Sequence, residues 1–172
     1  MKNKYEIRGE VTAIFLNNGL ETIISTDKLP IVRELPGTWY AWWNNHVKNY
    51  YCRMDIKSKD GKQTTIYLHR LISNNPKGMF VDHIDNNTLN NTDGNLRIVT
   101  NSENQQNRKS AQANSKSGIR GVSWHKQARK WRATVNVNGR QHSIGLFDGI
   151  MEAEVAVKKA RAELMPYSKD AI

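Results

Sequence analysis

A single cysteine, Cys52, stands among 172 residues. One thiol excludes an internal disulfide and any multi-cysteine zinc cluster, and it suits a reducing compartment. Long apolar runs are missing too. The hydrophobic fraction is 38%, and its short runs fall far below the ~20 consecutive residues a membrane span needs. No basic, apolar, small-residue leader opens the chain, so the expectation is a soluble cytoplasmic protein with no membrane partner. The most informative gap is acidic. Residues 104–147 contain no Asp or Glu but nine Lys and Arg, and they carry +9 of the net +10. A basic run of this kind is either a solvated face or a polyanion contact. The complete segregation of charge, with Trp124 and Trp131 interleaved, favours nucleic acid.

A length of 172 allows one ordinary domain or roughly two to three small ones. Glu6 to Leu16 reads as a β run, turning at Asn18-Gly19 into a second run over 21–26. The stretch 39–51, WYAWWNNHVKNYY, holds six of the 14 aromatics and reads as core for a small domain rather than as a base-stacking surface. Asp60-Gly61 signals a hairpin between 51–57 and 63–68, and His69 to Ile72 begins a helical turn. A strand at 79–81, a long polar loop and a strand at 96–99 follow. Thr100-Asn101-Ser102-Glu103 then has capping-box spacing, which predicts a helix. Residues 108–118 read as a flexible basic linker. Beyond them come strands near 119–125, 130–137 and 140–147, with Asn138-Gly139 as the second turn, and a helix near 150–164 whose apolar residues recur at helical spacing.

The polar loop draws attention. Residues 81–107, VDHIDNNTLNNTDGNLRIVTNSENQQN, carry ten carboxamides around Asp82-His83. Asp82 is a hard oxygen donor at a strand end, and His83 can share its pocket only where the strand bends into the loop. Asn104 lies about one turn inside the predicted helix. One carboxylate and one amide oxygen leave most positions of a Mg²⁺-like ion to water and phosphate, an open kind of site. Asn86, Asn87, Asn90 and Asn91 read as turn formers, and His69 reads as a packed, structural histidine.

These residues resemble the HNH endonucleases of phage and intron homing type. The likeness lies in Asp82-His83, Asn95-Leu96-Arg97 and Glu103-Asn104-Gln105-Gln106-Asn107, with His69-Arg70-Leu71 upstream, and covers roughly 64–108. The resemblance implies a ββα-metal core in which Asp82 and Asn104 ligate one divalent cation, Mg²⁺ or Mn²⁺, together with the scissile phosphate. His83 would be the general base, a task its reference pKa of about 6.5 suits. Asn95 would brace the loop inside the active site.

The C-terminal segment, through Ile119-Arg120-Gly121-Val122, Lys130-Trp131-Arg132-Ala133 and Ile144-Gly145-Leu146-Phe147-Asp148, resembles the Apetala-two DNA-binding domain. Alternation along 130–137 puts Lys130, Arg132, Thr134 and Asn136 on one face and Trp131, Ala133, Val135 and Val137 under the helix. Positions matching the family's DNA contacts are Arg120, Ser123, Thr134, Asn136, Gln141 and Ser143. Several of these are arginine or tryptophan in plant members, so base preference does not carry over. Arg120 and Arg132 are the candidates for strong contacts, and Lys126, Arg129 and Lys130 for phosphates.

The expected architecture is therefore α+β: a small β-rich N-terminal unit (1–50) of unassigned role, the ββα-metal HNH core (51–108), a basic linker (109–117), a three-stranded antiparallel sheet packed on one helix (118–165), and a tail (166–172). The expected activity is site-specific, metal-dependent cleavage of double-stranded DNA. It would be carried out by a monomer with no obligate protein partner, nicking one strand, in a bacterial or phage-infected cell. The competing reading is a non-catalytic DNA-binding regulator that retains the HNH fold.

Overall fold

The computed structural model describes residues 1–57, 60–108, 111, 114–168 and 170. They form two compact units, Met1–Thr100 and Asn101–Ile172. The fold is mixed α+β, built from several small sheets and short helices.

In the first unit, β1 (Tyr5–Arg8), β2 (Val11–Phe15) and β3 (Glu21–Ser25) form an antiparallel meander. The run expected as one strand from Glu6 to Leu16 is thus itself a hairpin. Gly9, at φ +69°, supplies a left-handed residue that reverses the chain there. α1 (Leu29–Glu34) follows, with Pro30 in its first turn, where its missing N–H costs no helical bond. β4 (Tyr40–Asn44), β5 (Asn49–Lys57) and β6 (Gln63–Tyr67) make a second antiparallel sheet, and α2 (Leu68–Ile72) continues directly from it.

β7 (Phe80–His83) pairs antiparallel with β9 (Leu96–Val99). Between them, the two-residue β8 (Asn90–Asn91) leaves its loop to join β3 in parallel, with Ile23 opposite Asn90 and Ile24 opposite Asn91.

One core serves this whole unit. Ile14, Ile24, Val32, Trp39, Cys52, Met54 and Leu68 are buried together. The boundary expected at residue 50 falls inside β5, and residues from both sides of it share this core. Of the aromatic stretch, Trp39 alone is fully buried, while Trp43 is exposed. Tyr40 and Trp42 take another role, flanking the Arg53 guanidinium, which lies 5.2 and 4.4 Å from their ring centroids.

The second unit begins with α3 (Asn101–Gln106). Four of the nine expected linker residues, 109, 110, 112 and 113, lie outside the described residues. β10 (Val122–His125), β11 (Lys130–Val137) and β12 (Arg140–Phe147) then form an antiparallel sheet against α4 (Ile150–Leu164). Asn138 and Gly139 both have positive φ, +50° and +79°, as a two-residue hairpin of the primed type requires. Ala133, Val135, Ala153, Val157 and Ala160 form the core under the sheet. Leu164 ends exposed, and Met165, just past the helix, is buried in this core instead. Gly121 has φ +84°, and a Cβ there would stand 2.5 Å from the Thr134 carbonyl oxygen and 2.7 Å from Val157. Only glycine fits this crossing of loop, sheet and helix.

Candidate active site

β7 ends in Asp82 and His83, both buried, at 8% and 5% exposure. Neighbouring strand residues point to opposite faces, so each has its own surroundings. Asp82 pairs across the ladder with Arg97. Arg97 Nε and Nη2 both donate to Asp82 Oδ2, at 2.9 and 2.7 Å. His83 meets a cluster of rings, with the His69 centroid 5.3 Å away and that of Tyr51 6.3 Å away. Its Nε2 lies 3.0 Å from Asn91 Oδ1.

The amide-rich loop is a tightly bonded structure with its own clamp, Asn95. Asn95 Oδ1 accepts from the Asp85 N–H at 3.0 Å, while its Nδ2 donates to Asp85 Oδ1 at 2.9 Å and to the Asn90 carbonyl at 2.7 Å. Its own carbonyl accepts from the N–H of Ile84, the residue after His83. The loop is also held from outside. Asn49 Nδ2 donates to the Asn86 carbonyl at 2.9 Å, and the Thr88 hydroxyl donates to the Tyr50 carbonyl. Asn86 does form a turn, with φ +62°.

Asn91 differs from the turn-former reading. It is wholly buried in β8, and its Nδ2 donates to Thr22 Oγ1 on β3 at 2.8 Å. Thr22 in turn donates its hydroxyl to the Leu89 carbonyl at 2.8 Å. Nothing in the sequence marks Thr22, and Asn91 reads there only as a turn former. A fully buried Asn is indistinguishable in sequence from the turn asparagines around it.

Burial sets the electrostatics of the histidines. It lowers the His69 pKa to about 3, reinforced by the nearby His83 and Arg70 charges. His83 is also lowered, first by burial, against the opposing pull of the Asn91 hydrogen bond and the Asp82 and Asp85 charges. Both rings are therefore neutral near pH 7. Asp85 is pushed the other way. Burial would raise it, but bonds from Asn90, Asn87 and Asn95 prevail and lower it. The Tyr51 phenol is raised by burial and then by the Asp82 charge.

Among the described residues, no group of three or more His, Cys, Asp and Glu side chains is placed to hold a metal ion. Asp82 supplies a hard carboxylate oxygen donor, and Arg97 donates to its Oδ2. The donor chemistry fits a hard divalent cation whose shell is completed by water and phosphate.

Asn104, the other expected ligand, is half-buried on α3 of the second unit. In that unit the sheet register puts Ser123 opposite Arg132, Thr134 opposite Ser143, and Asn136 opposite Gln141. All six line the sheet face away from α4, and Arg132, Asn136, Gln141 and Ser143 are exposed. Lys126 and Arg129 are exposed in the β10–β11 turn, and Lys130 pairs with Asp148 at 3.2 Å. Arg120 has other work. Its guanidinium donates to the carbonyls of Gln106 at 2.8 Å, Arg108 at 2.5 Å and Gln105 at 3.2 Å. It thereby ties Gln105 and Gln106 at the end of α3, and Arg108 just beyond it, to the segment before β10. Arg161, buried in α4, binds Asp170 at 2.5 Å and donates to the Arg120 carbonyl at 2.7 Å.

A family model described as HNH endonuclease matches residues 67–106. Protein 3.8 of Escherichia phage T7 is 40% identical over 89 residues, 52% of this chain and 72% of that protein. The chain carries an HNH endonuclease domain over residues 67–106. An uncharacterized HNH endonuclease of Acanthamoeba polyphaga mimivirus is 34% identical over 139 residues, 77% of this chain and 64% of the relative. The chain thus spans just under two thirds of that viral protein. No solved structure matches it significantly. The matched HNH window contains His69, Asp82, His83, Asn91, Asn95 and Asn104, and it excludes both Thr22 and the C-terminal sheet.

Proposed function

We propose that this protein is a metal-dependent endonuclease that hydrolyses phosphodiester bonds of double-stranded DNA. The observation that carries the reading is the buried His83, neutral near pH 7, following Asp82 at the end of β7, with Asn95 clamping the loop behind them. Asp82 and Asn104 are the proposed ligands of one Mg²⁺ or Mn²⁺ ion. When bound, such an ion supplies Lewis-acid stabilisation of the crowded phosphate and of the departing 3′ oxygen. His83 takes a proton from water as the water oxygen bonds to phosphorus. The bond from phosphorus to the 3′ oxygen breaks, leaving a 5′ phosphate and a 3′ hydroxyl that acquires its proton from solvent.

One such centre per chain makes a monomer a nicking enzyme, and its site-specific, homing-type use is part of the same proposal. The face bearing Ser123, Arg132, Thr134, Asn136, Gln141 and Ser143 is the proposed Apetala-two-like reader of the major groove. Lys126, Arg129 and Lys130 are assigned to phosphates. Arg120, bonded to the end of α3, is assigned to holding that surface together before any contact with DNA.

The deciding experiment is incubation of the purified protein with supercoiled plasmid carrying host and phage sequence, with Mg²⁺ or Mn²⁺. Conversion to open circles by the native protein and not by H83A is expected. Metal-independent binding with no cleavage would instead make the chain a DNA-binding regulator that retains the HNH fold.

A further inference from the structure

The N-terminal sheet has no role in the reaction as described so far, yet it reaches the proposed base. β8 is hydrogen-bonded to β3 in parallel, and the Ile23 N–H donates to the Leu89 carbonyl at 2.9 Å. This pairing brings Thr22 beside Asn91, and both side chains are wholly buried.

The donors and acceptors in this group admit one arrangement. The Leu89 carbonyl can only accept, so the single hydroxyl hydrogen of Thr22 points at it. Thr22 Oγ1 must then accept from Asn91, which turns the Asn91 NH₂ toward Thr22 and its Oδ1 toward His83. The second Nδ2 hydrogen of Asn91 is directed at the Thr88 carbonyl, 3.5 Å away, which again can only accept. An amide oxygen at 3.0 Å from His83 Nε2 requires a hydrogen on that nitrogen. A neutral imidazole carries one N–H, so its lone pair resides on Nδ1.

We propose that Thr22 and Asn91 are positioning residues that hold the His83 ring with its Nε2–H on Asn91 Oδ1, so that Nδ1 is the atom that receives the proton from water. The proposal rests on the reading of His83 as the general base. It also gives the N-terminal sheet a function, since Thr22 lies in β3 and outside the HNH window. When Nδ1 takes the proton, the O–H bond of water breaks and the imidazolium keeps its Nε2–H bond to Asn91 Oδ1. That bond becomes charge-assisted and stronger as the proton moves. An imidazole in the other tautomer would turn an N–H toward the water and a lone pair toward the lone pairs of Asn91.

The test uses the full-length protein labelled with ¹⁵N-histidine, with the His83 ring signals assigned by their loss in H83Q. Without metal, and at a pH where the rings are neutral, native His83 is expected to show the nitrogen shifts of the Nε2–H tautomer. Thr22→Val, which keeps the shape and removes the hydroxyl, should give a mixture of tautomers. It should also lower kcat at least about tenfold with KM unchanged. Thr22→Ser should restore both the native shifts and kcat. An Nδ1–H ring in the native protein overturns the proposal without need of any variant. So does a Thr22→Val protein with native kcat. A native Nε2–H ring combined with undiminished cleavage by H83A defeats the general-base reading itself, a result distinct from either of the others.

Discussion

Arg97 aims two nitrogens, Nε and Nη2, at the single oxygen Oδ2 of Asp82, from the strand directly opposite. Both side chains are largely withdrawn from water, at 19% and 9% exposure. Removing one member of such a pair is far more damaging than its net contribution suggests, because the other charge keeps its desolvation cost. Arg97→Ala is expected to lower unfolding stability by about 3 kcal/mol. Arg97→Lys, which keeps the charge but loses the forked geometry, should fall in between. Urea unfolding curves measure both. An Arg97→Ala protein as stable as the native one would show that Asp82 does not depend on this partner.

Cleavage should stop on chelation with EDTA and return with added Mg²⁺ or Mn²⁺. Asp82→Asn, nearly identical in shape, and Asn104→Ala are each expected to weaken the metal-concentration dependence of cleavage. His83→Ala should instead lower turnover by about 10²–10⁴ at saturating metal. Titrating metal against rate for each variant separates the two roles. A His83 variant rescued by excess metal would contradict them.

The depressed pKa of His69, about 3 in the folded protein, makes stability depend on acid. Unfolded histidine titrates near 6.5. Between these values the unfolded chain binds the extra proton, so stability is full above about pH 6.5 and falls as the pH drops toward 3. The lowered His83 adds in the same direction. The slope is up to about 1.4 kcal/mol per pH unit for each histidine. Chemical denaturation from pH 7 to pH 4 should show it, and His69→Gln should flatten it. A native curve that is flat over this range would mean that His69 is readily protonated in place.

Gly121 is closed in by the Thr134 carbonyl and Val157. Gly121→Ala combines a positive φ with two steric overlaps, and it is expected to cost well over about 1 kcal/mol. Differential scanning calorimetry should register the loss in the transition of the second unit. Gly139→Ala, also at positive φ but with nothing within 4 Å, should cost less.

Binding to double-stranded DNA should weaken steeply with salt. Replacing Lys126 or Arg129 by Gln is expected to reduce the slope of log K against log salt by about 1 each, evenly across sequences. Arg132→Gln should additionally change which sequence is preferred. Fluorescence anisotropy over a salt series measures these effects, and a salt-independent affinity would remove the phosphate assignment.

Much of the second unit is legible in the chain. Asn138-Gly139 marks a turn by local chemistry, and the apolar recurrence over 150–164 delimits α4 to the residue. Strand alternation along 130–137 separates the packed face from the open one. In the first unit, Asp82-His83 and Asn95 stand out by spacing, and β7 and β9 flank their loop. What escapes is set by distant partners. Arg120 looks like a DNA contact in a basic stretch, but α3 supplies carbonyls that occupy it. Asn91 looks like its turn-forming neighbours because nothing local shows that β3 pairs beside it. Gly9 splits an otherwise continuous β run, and a lone glycine inside such a run reads equally as a bulge or a reversal.

The β3–β8 pairing also bears on engineering. Residues 23 and 24 complete a ladder with residues 90 and 91, so the recognisable window over 67–106 is not a portable cassette. Grafted onto another scaffold without its upstream strand, it would leave behind the Thr22 hydroxyl to which Asn91 is bonded. The transplant would carry every signature residue and lack the buttress on which they lean.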